Sequence, residues 1–163
     1  MKERVRNVLW VDKSIECYKY ILSERLEDNV NVQFFSNFEE ALNTSLKTVD
    51  FVISNYNSFY WVDCFSGNEK LRDEKNYCFF LYKEITKKFP LAQFVLHSAL
   101  PHTEDPLISL YASRYENFHV APKSDLESTN NILKLITGKL DLYEVETRFR
   151  MEAKGKSGLH LVN

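Results

Sequence analysis

VLWVDKSIECYKYILSERLEDNVNVQF, residues 8–34, decides the fold. Its opening run, Val8-Leu9-Trp10-Val11, is short, continuous and apolar and ends at Asp12, as expected of a strand buried on both faces. Ile15, Tyr18, Leu22 and Leu26 then recur near a 3.6-residue period, which predicts an amphipathic helix from Ser14 to Leu26 with Ser14 as its N-cap. Val30-Asn31-Val32-Gln33-Phe34 alternates in period two and predicts a half-buried strand. Strand, helix and strand in so short a stretch make one crossover unit of a parallel sheet.

The same grammar continues along the chain. Ser36-Asn37-Phe38-Glu39 has capping-box spacing and opens a helix with Ala41, Leu42 and Leu46 on one face. Asp50-Phe51-Val52-Ile53-Ser54 is a second buried run, ending at Asn55. Tyr77–Phe89 is helical, with Lys87-Lys88 suiting its C-terminus and Pro90 stopping it. Phe94-Val95-Leu96-His97-Ser98 reads as a strand, Glu104–Arg114 as a helix and Phe118-His119-Val120-Ala121 as a last strand before Pro122-Lys123. Ser124-Asp125 caps a helix through Ile132, Leu133, Leu135 and Ile136. Five strands alternating with five helices predict a three-layer α/β/α domain on a five-stranded parallel sheet.

Composition narrows the class. The 163 residues suit one domain, and 44% apolar with 27% charged residues excludes a disordered or fibrous chain. A net charge of −2 lacks the signature of a non-specific nucleic-acid binder. No apolar stretch is long enough to span a membrane, and the charged start MKERVRN leads us to expect a cytoplasmic protein. With 4 Gly and neither GxGxxG nor GxxxxGK[ST], no phosphate-cradling loop is expected. Cys17, Cys64 and Cys78 share no CxxC spacing and the four His form no HxxxH pair, so neither a zinc site nor any other cofactor is expected. Cys17 and Cys78 are expected to pack as small hydrophobes.

Two segments depart from the alternation. Residues 58–76 begin with the apolar Phe59, Tyr60 and Trp61 and turn highly charged. So long a loop either folds over the strand ends as a lid or presents a binding surface, with disorder as the third outcome. Residues 139–163 form a C-terminal extension whose Leu140–Met151 is helical in pattern. It is read as packing on its own domain or as a docking or dimerisation element.

In a parallel open sheet the functional site lies beyond the carboxyl ends of the strands. Those ends carry Asp12-Lys13, Asn55, Ser98-Ala99 and Lys123. In VLWVDK, DFVISNY, FVLHSA and APKS the sequence resembles the receiver domain of two-component response regulators, over residues 6–57 and 77–138. The resemblance implies a flavodoxin-like strand order 2-1-3-4-5 and a receiver-like domain over 6–138 interrupted by the 58–76 insert. It also implies a phosphorylation pocket at Asp12, Lys13, Asn55, Ser98 and Lys123.

The pocket departs from the family pattern. Asn55 stands at the phosphoacceptor position, and an amide cannot form the acyl phosphate that a carboxylate forms. Lys13 replaces the second acidic residue, leaving one carboxylate to hold Mg²⁺. The sequence therefore reads as a non-catalytic pseudo-receiver, regulatory through protein contacts rather than phosphorylation. Tyr111, Tyr115 and Phe118 are its candidate interaction surface. The expected partner is a signalling or transcription protein or a second copy of the chain, with no direct nucleic-acid or membrane contact. The competing reading is a receptor for a small anion or nucleotide at Lys13 and Lys123.

Overall fold

The computed structural model describes residues 4–55, 77–99, 106–123 and 126–145. The expected lid residues Phe59, Tyr60 and Trp61, with Cys64, the Ser124-Asp125 cap and the tail beyond residue 145, lie outside them. The strands are β1 (Arg6–Val11), β2 (Val30–Phe35), β3 (Phe51–Ser54), β4 (Gln93–Leu96) and β5 (Phe118–Val120). Between and after them come α1 (Ile15–Ser23), α2 (Phe38–Leu42), α3 (Tyr77–Lys88), α4 (Pro106–Arg114) and α5 (Leu126–Ile136). All strand pairs are parallel, in the order β2-β1-β3-β4-β5. The expected α/β class and strand order are both present.

Alternating side chains along the strands divide the core. Leu9, Val11, Val52, Phe94, Leu96 and Phe118 face α2, α3 and α4, where Phe38, Phe79 and Tyr82 join them. Val8, Trp10, Ile53 and Val95 face α1 and α5, with Ile15, Leu22, Ile132 and Ile136. The first layer is aromatic: Phe94 stacks on Phe118 at 5.3 Å between centroids, and Tyr82 meets both edge-on. Phe118 is 2% exposed and half-buried Tyr111 and Tyr115 pack against the same cluster. Phe118 is therefore a core residue rather than part of a contact surface, because β5 points it inward. Leu140 and Val145 are buried in the second layer, where residues 142–145 are helical, so this part of the extension packs on its own domain.

Helix ends differ from the sequence reading in detail. Ser14 occupies the N-cap of α1 but makes no side-chain cap; its backbone is not in the extended conformation of a capping residue, and its N–H donates to the Asp12 carboxylate at 2.8 Å. Asn37, not Ser36, caps α2, accepting the Glu40 N–H at 2.9 Å. Lys88 leaves its own helix and donates to the Leu42 and Thr44 carbonyls, closing the end of α2. Cys17 is exposed, one position off the Ile15–Tyr18–Leu22 stripe, whereas Cys78 is buried. α5 ends in a Schellman arrangement: Gly138 has φ +83° and Lys139 N–H donates to Lys134 O.

Candidate functional site

The register brings five strand ends level. Val11 pairs with Phe35 and Ser54, Ser54 with Leu96, and Leu96 with Val120. Ladder-like bonds continue past the strands: Asn55 N–H donates to Val11 O, His97 N–H to Ser54 O and Ala121 N–H to Leu96 O. Lys123 N–H donates to Ser98 O. The side chains beyond the strands are thus fixed by backbone bonds before any side-chain interaction is counted.

Asp12 is the hub and is 2% exposed. One carboxylate oxygen accepts the Ser14 N–H. The other accepts the Tyr18 hydroxyl and the Asn55 amide Nδ2, the latter at 3.1 Å, and lies 3.6 Å from Lys123 Nζ. The Lys123 ammonium also sits 4.7 Å above the centre of the Tyr18 ring, a cation–π contact that adds to the ion pair. A carboxylate only accepts, so the amide nitrogen of Asn55 must face it, and the amide oxygen then takes the Ser98 hydroxyl at 2.9 Å. Asn55 is the bridge between β1 and β4 because it offers a donor on one side and an acceptor on the other. An aspartate there would set a second carboxylate about 3 Å from Asp12 and raise the proton affinity of the pair.

Of the five expected pocket residues, Asp12, Asn55, Ser98 and Lys123 converge. Lys13 is exposed. Two buried or half-buried side chains at this end are not legible from the sequence as neighbours of the site. Tyr18 belongs by spacing to the apolar stripe of α1, yet its hydroxyl reaches back across the β1–α1 turn to Asp12. Burial, reinforced by the Asp12 charge and hydrogen bond, pushes its phenol far above the ordinary range, so it stays protonated and donating. His97, next to Ser98, is 2% exposed, with Nδ1 2.8 Å from Ala121 O and Nε2 3.4 Å from Thr129 Oγ1. Burial lowers its pKa to about 4, so the ring is neutral, donating from Nδ1 and accepting at Nε2. No His, Cys, Asp and Glu group that could hold a metal ion is present among the described residues.

Solved structures share this architecture. A response regulator, TrrA, from Thermotoga maritima, determined in complex with Mg²⁺-BeF, superposes at TM-score 0.52 and 20% identity, covering 81% of this chain and 99% of its own. The non-phosphorylated HemR receiver domain from Leptospira biflexa gives 0.52 and 18%, covering 80% and 95%. The response regulator domain of Thermotoga maritima CheB gives 0.52 and 21%, covering 85% and 99%. The chain has the receiver-domain fold. No protein-family model matches it, and no curated protein matches it in sequence. No helix among the described residues is long and apolar enough to cross a membrane.

Proposed function

We propose that this receiver-fold chain is a cytoplasmic pseudo-receiver: a non-catalytic signalling module that is not phosphorylated at the end of β3 and acts through contacts with another protein or a second copy of itself. One observation carries the reading. The side chain at the end of β3 is an amide whose two functional atoms are both engaged, by Asp12 and by Ser98. An amide offers no acyl-phosphate chemistry, and the acidic group a divalent cation would use is occupied by Tyr18, Asn55 and Lys123. Lys13, next in sequence to Asp12, replaces the second acidic residue with a positive charge.

The competing anion-receptor reading draws on Lys13 and Lys123. It is weakened because the Lys123 ammonium already faces a buried carboxylate and a tyrosine ring. An anion would have to displace Asp12, which cannot leave without taking a buried charge from its partners.

The test is incubation of the full chain with acetyl phosphate and Mg²⁺, followed by intact-mass measurement. The expected result is unmodified protein. A phosphoryl adduct that is cleaved by hydroxylamine, as acyl phosphates are, and is lost in Asn55→Ala, would overturn the proposal.

A further inference from the structure

At the opposite end of the sheet, where the strands begin, two cavities of about 330 and 370 Å³ meet at Arg4 and Asp50. The first also contains Arg6, Asn29, Thr137 and Gly138. The second contains Lys47, Lys88 and the apolar Val49, Phe89, Pro90 and Leu91. Together they form a groove with four cationic side chains and one carboxylate. We infer that this groove is a docking site for an acidic peptide segment that carries a bulky apolar residue.

The argument rests on how the cations are held. Arg6 donates to the Leu135 and Ile136 carbonyls at 3.1 and 3.3 Å, at the C-terminus of α5. Lys88 donates to the Leu42 and Thr44 carbonyls at 2.9 and 3.0 Å, beyond α2. Carbonyls fix these groups without neutralising them, so their positions are set before any ligand arrives and little side-chain freedom remains to be lost on binding. Lys47 pairs with no carboxylate among the described residues. Asp50 does not cancel the excess: one oxygen pairs with Arg4 at 2.9 Å and the other accepts the Asn7 N–H at 2.9 Å.

The apolar side of the groove selects among polyanions. Leu91 is 89% exposed beside Pro90, while Val49 and Phe89 form a buried floor at 6% each. An aliphatic residue standing in solvent beside fixed cations matches a carboxylate-rich peptide with one apolar anchor. A nucleic-acid strand would call for aromatic platforms on which to stack, and Leu91 and Pro90 do not provide them. The site is independent of the phosphorylation reading, because it lies at the other end of every strand.

The test uses the full chain and a fluorescein-labelled octapeptide of glutamates around one central Phe, followed by anisotropy at low salt. Saturable binding is expected, weakened about tenfold by Lys47→Glu and about tenfold by Leu91→Ser. Both positions are exposed, and unchanged circular-dichroism melting confirms that each variant is folded. Absence of binding would overturn the inference. So would equal binding of a peptide with Ser in place of Phe, or equal displacement by an oligothymidylate of the same length.

Discussion

At the C-terminal end of the sheet Asp12, Tyr18, Asn55, Ser98 and Lys123 direct their polar atoms at one another. At the N-terminal end Arg6 and Lys88 are held by main-chain carbonyls. Both ends immobilise charged side chains, but at the second Arg4 meets a carboxylate, Asp50, whereas Arg6 and Lys88 meet only carbonyls in the bonds described. A closed network resists ligands and adds to stability, because its members lose partners when any one is removed. An open one contributes little to stability and leaves charge for an outside partner. On the reading proposed above, the sheet is inert at its C-terminal end and equipped for contact at the other.

Breaking the closed end should cost most. Asp12→Ala removes the acceptor of Tyr18 and Asn55 and leaves Lys123 without its carboxylate, an expected loss of about 3–5 kcal/mol in urea unfolding. A loss no larger than that of an exposed ion pair would erase the contrast between the ends. The next effect is in pH. His97 has a folded pKa of about 4, below the unfolded value of about 6.5. Between these values the unfolded chain binds a proton that the folded chain refuses, so stability falls as pH drops from 6.5 to 4, by up to about 3 kcal/mol. In His97→Asn that stretch of the stability–pH curve should flatten, and an unchanged slope would assign the acid sensitivity elsewhere.

Smaller changes separate the ends further. Tyr18→Phe keeps the ring beneath Lys123 but deletes the hydroxyl, with an expected loss of about 1.5–3 kcal/mol, the range for a hydrogen bond to a charged group. Lys88→Met keeps most of the packing and removes two carbonyl contacts, for about 1 kcal/mol. Arg4→Ala should change stability by less than about 1 kcal/mol, since its guanidinium is 73% exposed. Thermal or urea unfolding of the three variants should preserve that order.

The sheet was legible because its strands are short apolar runs, or in β2 a period-two alternation, and the longer helices carry a 3.6-residue stripe, so local pattern and global fold agree. Asp12, Asn55, Ser98 and Lys123 were legible for a related reason: a parallel sheet puts the residues after its strands at one edge. Tyr18 was hidden because a tyrosine can serve the apolar stripe with its ring and the site with its hydroxyl. Phe118 was misread because a three-residue strand is too short for its alternation to reveal the inward face. Cys17 shows the same limit on a helix, where one position separates the buried stripe from solvent. The basic groove is assembled from residues 4, 6, 47 and 88, which no local window joins.

The contacts of β1 also have a consequence in time. Arg6 bonds to carbonyls 129 and 130 residues away, and Asp12 pairs with Lys123. β1 precedes every other strand of the domain in the chain, yet its charged residues find these partners only once residues up to 136 have been made. Until then Asp12 has no ammonium to face, and burying it early would be unfavourable. A chain cut short before Lys123 would therefore carry a buried carboxylate with no ammonium to face.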